Sequence, residues 1–239
     1  MVICKKKSRS LTESEKDHPE YCDAWVWLAF DPVSKLIVHA VIGKRKENEA
    51  NELINSVLNK STGSLPLFTS DELPHYKNAL AEAHTTLIPV EKTGKRGRPK
   101  KPITQIDSKL LYATVHKTRE NYRIVSVERR IVFGDEQKID EILESSTVSK
   151  SVNTSYIERV NLTLRQHCRR LTRKTNGFSK EQRNLKAQIL LVMAYYNFVL
   201  PHRSLKIKGK SSRTPAMVAN LTNHKWSMSE LLAYKVLNK

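Results

Sequence analysis

Ser155-Tyr-Ile-Glu-Arg-Val-Asn-Leu-Thr-Leu-Arg-Gln-His-Cys-Arg-Arg-Leu-Thr-Arg-Lys174 places apolar residues at helical spacing: Ile157, Val160, Leu164, Cys168 and Leu171. A 3.6-residue period puts these on one stripe, so the segment is predicted to be a helix packed on a core. The adjoining face carries Glu158, Asn161, Arg165 and Arg169. Solvated helices mix their charges more evenly. A single carboxylate among arginines on a core-packed helix points instead to a site for a metal ion and phosphate.

Downstream, Asn176-Gly177 supplies the stop. Ser179 with Gln182 is spaced as a capping box for a second helix, whose inward face is Leu185, Ile189, Val192, Met193 and Tyr196. Upstream, Asp23-Ala-Trp-Val-Trp-Leu-Ala-Phe30 and Leu36-Ile-Val-His-Ala-Val-Ile42 read as strands joined by the turn Asp31-Pro-Val-Ser-Lys35. Both are apolar on both faces, which predicts a sheet covered on two sides. Helices are predicted over 47–59 and 74–83, with a short buried strand from Ser64 to Ser70 between them and a further strand over 86–90. Leu110 to His116 and Arg123 to Phe133 read as a hairpin, Asp135 to Leu143 as a helix, and Ser145 to Thr154 as a linker. Strands first, alternating strands and helices next, and long helices last indicate an α/β chain with a mixed sheet flanked by helices. The chain divides on this reading into 1–90, 91–150, 151–205 and 206–239: a first core part, an insertion of basic loop, hairpin and helix, the paired helices, and a basic tail with short helices.

The 239 residues carry 42 Lys+Arg against 24 Asp+Glu, a net charge of +18. Such an excess calls for a polyanionic partner, with nucleic acid ahead of an anionic membrane surface. No apolar run reaches the roughly 18 residues of a membrane span, and Met1-Val-Ile-Cys-Lys5 lacks the apolar core of a signal peptide. Three cysteines without a Cys-x-x-Cys pair favour a reducing, cytoplasmic setting and give no zinc-ligand spacing. The cationic charge is densest in 91–102, Glu-Lys-Thr-Gly-Lys-Arg-Gly-Arg-Pro-Lys-Lys-Pro. Its core Arg96-Gly97-Arg98-Pro99 resembles an AT-hook, in which an extended Arg-Gly-Arg lies in a narrow minor groove. A plain basic loop touching phosphates is the simpler alternative. Lys95, Arg96, Arg98, Lys100 and Lys101, with Arg169, Arg170, Arg173 and Lys174, are the candidate DNA-binding residues.

Asp71 is the other carboxylate of interest. It closes a strand just before a helix, where open α/β sheets bind ligands. An Asp there also serves as a cap or turn residue. Glu158 likewise has a second reading, as the glutamate of a capping box begun by Ser155.

The block from Asn153 to Gln166, continuing through Arg169 to Lys180, resembles the third-acid block of insertion-sequence DDE transposases, in particular the class of the first-described bacterial insertion sequence. Asp23 to Asp31, Thr69-Ser-Asp71, Tyr195-Tyr-Asn-Phe198 through Pro201-His-Arg-Ser-Leu205, and Arg213-Thr-Pro-Ala-Met217 agree with it, so the likeness runs from about residue 21 onward. The resemblance implies an RNase H-like core and Mg²⁺-dependent cleavage at transposon ends, followed by attack of the freed 3′-hydroxyl on target DNA. It implies Asp71 and Glu158 as catalytic metal ligands in a two-metal site, supported by Asn161 and Arg165. It further implies a nucleoid-associated bacterial or archaeal protein, DNA ends and target as partners, no membrane, and a homodimer by analogy.

Relatives carry the first acid in an Asp-Glu-x-Trp block ahead of a Lys-rich turn. Here Lys5-Lys-Lys7 matches the turn, and only Met1-Val-Ile-Cys4 precedes it. Asp23 and Asp31 are the nearest substitutes, one opening the second strand and the other in its turn. The chain by itself is therefore expected to be inactive or weakly active in strand transfer. The competing expectation is a non-catalytic DNA-binding protein derived from a transposase. An RNA-associated role lacks an aromatic RNP-like strand pair.

Overall fold

The computed structural model describes residues 2–4, 12–15, 22–61, 65–88, 103–172, 177, 179, 181–207 and 212–235. In chain order the strands are β1 (Val2–Cys4), β2 (Cys22–Asp31), β3 (Leu36–Gly43), β4 (Leu67–Asp71), β5 (Thr85–Ile88), β6 (Ile103–Ile106), β7 (Leu111–Glu120) and β8 (Arg123–Phe133). The helices are α1 (Glu47–Lys60), α2 (Pro74–Ala83), α3 (Glu136–Ser145), α4 (Ser155–His167), α5 (Gln182–Ala194), α6 (Pro215–Val218) and α7 (Met228–Ala233). Two compact units result: Met1–Arg45 with Ser155–Lys239, and Lys46–Thr154. No helix among the described residues is long and apolar enough to cross a membrane.

The first unit holds an antiparallel sheet in the order β1-β2-β3. Its predicted turn forms as read: the Asp31 carboxylate accepts from the backbone N–H of Val33 at 2.9 Å and of Ser34 at 3.0 Å, and Lys35 takes a left-handed φ of 62°. One face of β2 and β3 presents Ala24, Ala40 and Ile42 to Val160, Leu164, Cys168, Leu171, Leu185, Ile189 and Tyr196. Trp27 and Val41, directly paired on the opposite face, are buried as well. Both faces are thus covered, as the apolar runs demand.

β3 is the last strand of its sheet, and side-chain amides satisfy part of its backbone. Asn197 sits in a π-turn (Tyr195–Val199) that continues α5. Its Oδ1 accepts from Ile37 N–H at 3.0 Å and its Nδ2 donates to Ile37 C=O at 2.9 Å. Gln182, at the other end of α5, donates Nε2 to Ile42 C=O at 2.9 Å. This overturns the capping-box expectation for Ser179 and Gln182. Glu181 is the N-cap residue of α5 and makes no side-chain cap bond to the helix backbone, and buried Ser179 turns its hydroxyl to Glu181 C=O. Holding a strand edge outweighs a cap bond that water can replace.

The predicted helix over 155–174 also stops early. Cys168 leaves helical geometry at φ −126° and ψ 97°, and a 3₁₀ turn (Arg169–Leu171) follows. The bend lets Cys168 and Leu171 both enter the core reached by Leu164. Arg169 therefore lies beyond the helix and does not continue the face of Glu158, Asn161 and Arg165.

In the second unit β4 runs parallel to β7, which pairs antiparallel with β8. The mixed sheet buries Leu111, Ala113 and Val115 against Ile139 and Leu143 of α3, with Val152 alongside. Gly134, between β8 and α3, has φ 95°, and a Cβ there would meet Leu111 Cδ2 at 2.4 Å and Leu110 C=O at 2.7 Å. Only glycine fits that corner. Asp135 then caps α3, accepting from Gln137 N–H at 2.9 Å. β5 and β6 form a separate antiparallel pair, of which only β5 was read from the sequence. The basic loop that links them, with Lys95, Arg96, Arg98, Lys100 and Lys101, lies outside the described residues, as do Arg173 and Lys174.

Asn197→Ala would strand the N–H and C=O of Ile37 in a buried position. The expected loss is about 2–4 kcal/mol in urea unfolding, set by the desolvation cost of two orphaned groups. A loss below about 0.5 kcal/mol would mean the amide does not hold the strand.

Candidate functional site

Asp71 and Glu158 belong to different units, and each has its own surroundings. Asp71 ends β4 opposite Val115 of β7 and is exposed. The alternative role as a helix cap is not taken up: Leu73 occupies the N-cap of α2, Pro74 its first turn, and no side chain bonds there. Ser70 beside it donates its hydroxyl to Asp71 C=O at 2.6 Å and lies 2.7 Å from the Tyr112 hydroxyl. Burial pushes the Tyr112 phenol up, and the nearby Asp71 and Glu72 charges add to this.

The contrast between Asp71 and its neighbour is informative. Glu72 is held by His116 of β7 and, at 2.7 Å, by Arg130 of β8. Its carboxyl is held below the ordinary value, first by the hydrogen bond from His116 and then by the Arg130 and His116 charges. Among the described residues, no hydrogen bond or ion pair engages the Asp71 carboxylate. Of two adjacent acids, one is consumed by a local network and the other stays available as an oxygen donor. Sequence reasoning missed Glu72, His116, Arg130 and Tyr112. The period-2 alternation Tyr112, Thr114, His116 on β7 was the available signal, since it sets these on the face opposite the buried Leu111, Ala113 and Val115.

In the first unit, α4 carries exposed Glu158 in its first turn, with half-buried Asn161 and Arg165 on the same face at helical spacing. Arg169 is exposed, while Arg170 spends one Nη on the Ser179 hydroxyl at 3.0 Å. A cationic group that sequence reasoning missed adjoins this helix. The buried Lys35 ammonium lies 4.0 Å from the centroid of the Tyr156 ring. Burial lowers the Lys35 pKa, which Asp31 opposes and Arg159 reinforces. Burial also lowers that of His202, with Lys35 and Arg159 acting in the same direction. Of the substitutes for the first acid, Asp31 has both oxygens in the β2–β3 turn, and Asp23 stands in β2 paired with Ile3.

Mg²⁺ takes oxygen ligands and retains several waters, so exposed carboxylates at Asp71 and Glu158 fit it. Among the described residues, no cluster of three or more His, Cys, Asp or Glu side chains is assembled for a metal ion.

Glu72 supplies a test with a definite sign. A carboxyl with a depressed folded pKa contributes stability that is complete above its ordinary value of 4.5 and is lost as pH falls through the folded value. In His116→Ala, the Glu72 carboxyl should titrate higher, nearer 4.5, by carbon-detected NMR, with Arg130 keeping part of the shift. An unchanged midpoint would remove the His116 hydrogen bond as the cause.

Comparison of the chain with protein-family models, with curated proteins and with solved structures finds no match.

Proposed function

We propose that this chain is the catalytic domain of a DDE transposase with an RNase H-like core, and that Asp71 and Glu158 serve Mg²⁺-dependent cleavage and transfer of DNA strands. The observation that carries this reading is the exposed Asp71 carboxylate at the end of β4, which among the described residues takes part in no hydrogen bond or ion pair, beside Glu72, which His116 and Arg130 hold. Glu158, in the arginine-rich block that resembles the third-acid block of such enzymes, supports it. The net charge of +18 supports DNA as the partner.

In this reading Asp71 and Glu158 hold the metal ions. When bound, Mg²⁺ activates an attacking oxygen and stabilises a leaving oxygen at phosphorus. The protein's own residues orient and neutralise. Ser70 and the β4–β7 pairing fix the backbone that bears Asp71. Glu72, tied to His116 and Arg130, holds the strand end to β7 and β8. Asn161 and Arg165 stand on the Glu158 face, where a cation offsets phosphate charge. The basic residues of 91–102, with Arg169, Arg170, Arg173 and Lys174, bind the DNA backbone.

The test uses DNA from either side of the coding sequence as substrate. The chain with an Asp-bearing strand added ahead of residue 5 is expected to nick that DNA with Mg²⁺. Asp71→Asn or Glu158→Gln should each lower the rate by about a hundredfold or more, the scale of a misplaced reacting group. Affinity for DNA should hold or rise in both, because each change removes a negative charge. Tight, salt-sensitive DNA binding without Mg²⁺-dependent nicking would favour the non-catalytic DNA-binding protein instead.

A further inference from the structure

The hairpin of β7 and β8 continues well past its packed part. Val115 is its last buried residue on the face against α3, and the strands run on to a two-residue turn at Asn121-Tyr122. The five further strand residues, 116–120, reach about 17 Å at strand rise. Along this extension Ile124, Val125 and Val127 are 49%, 58% and 57% exposed. Tyr122 at the tip is 100% exposed. Lys117, Arg119 and Arg123 stand on this part of the ribbon with two acids, Glu120 and Glu128; Lys117 donates to Thr154 Oγ1 at 2.8 Å, which leaves Arg119 and Arg123 as the cations nearest the tip.

The tip is built against local preference. Asn121 and Tyr122 have φ of 47° and 66°, the left-handed pair of a tight hairpin turn. Asn is common at the first of these positions, and glycine is the residue for the second. Tyrosine there is strained, and its ring gains nothing from the protein in return. A flat aromatic ring at the end of a cationic two-stranded ribbon has a natural complement in a nucleobase. A ribbon of this kind fits a DNA major groove, and a ring with an open face stacks on any base.

We propose that the β7–β8 hairpin is a nucleic-acid contact in which Arg119 and Arg123 meet phosphates and Tyr122 stacks on an unpaired or extruded nucleobase. It shares with the functional reading only the identity of the partner, not the catalytic role of Asp71 and Glu158.

The probe is a DNA duplex with 2-aminopurine opposite an abasic site, compared with the fully paired duplex. Wild-type chain should quench the 2-aminopurine fluorescence. Tyr122→Ala should abolish the quenching and weaken binding to the abasic duplex about 5- to 100-fold, with much less effect on the paired one. Tyr122→Phe should retain both properties. Tyr122→Gly relaxes the turn, so it should keep or raise stability and still lose the quenching, which separates stacking from folding. Arg119→Gln with Arg123→Gln should lower the salt dependence of binding. Equal losses on both duplexes, unchanged quenching in Tyr122→Ala, or a change in self-association by sedimentation in place of DNA affinity would each overturn the proposal. Quenching by the unaltered chain together with no nicking by the chain that carries an added Asp-bearing strand would defeat the catalytic reading and leave this one standing.

Discussion

The Asn197 side chain closes the first unit. Its amide bonds both backbone groups of Ile37, 160 residues away in the chain. A strand at the end of a sheet needs such partners, because its free N–H and C=O groups otherwise face solvent or a competing strand. Gln182 repeats the device at Ile42, 140 residues away. Together they fix α5 and its π-turn to β3 at two points. The core between them, from Ala24 and Ile42 to Leu185 and Tyr196, is then assembled from the two ends of the chain, with residues 46–154 forming a unit of their own. That arrangement also fixes where α4 lies on the sheet, and hence which of its faces remains open.

The same logic of satisfied and unsatisfied groups sorts the acids. Asp31 is spent on its turn, Glu72 on His116 and Arg130, and Glu136 and Asp140 on Arg129. A carboxylate oxygen that already accepts from a cation is a weaker ligand for an ion, since part of its charge and one lone pair are engaged. Asp71 is exposed and outside these networks. Among the described residues Glu120, which closes β7, is likewise exposed and outside these networks, so what sets Asp71 apart is its place at the end of β4 ahead of α2.

Much of the secondary structure was legible because it rests on local patterns. The turn at Asp31 to Lys35, helix α2 and the β7–β8 hairpin follow from turn chemistry, Pro74 at a helix start, and β-branched runs. The end of α4 was not legible. His167-Cys168-Arg169-Arg170 contains no glycine or proline, and the bend is set by where Cys168 and Leu171 find their core. Tertiary packing overrides local propensity in such cases. Ser179 and Gln182 had the spacing of a capping box, but spacing does not reveal a competing strand edge. β6 escaped because four residues give too little alternation to count. At the candidate site, Asp71 and Glu158 were visible as a strand-end acid and as a lone acid among arginines. The residues that engage Glu72 were hidden by distance, since His116 and Arg130 meet it only through the register of β4, β7 and β8.

The proposed function requires Asp71 and Glu158 to serve the same divalent ion or ion pair. Mn²⁺ titration followed by electron paramagnetic resonance tests it most directly, on the wild-type chain, Asp71→Asn, Glu158→Gln and the double variant. Shared ligands predict that either single change removes most of the tight Mn²⁺ binding and that the double variant is little worse than either, a strongly non-additive cycle. Independent, additive losses, or an affinity that neither substitution alters, would contradict it.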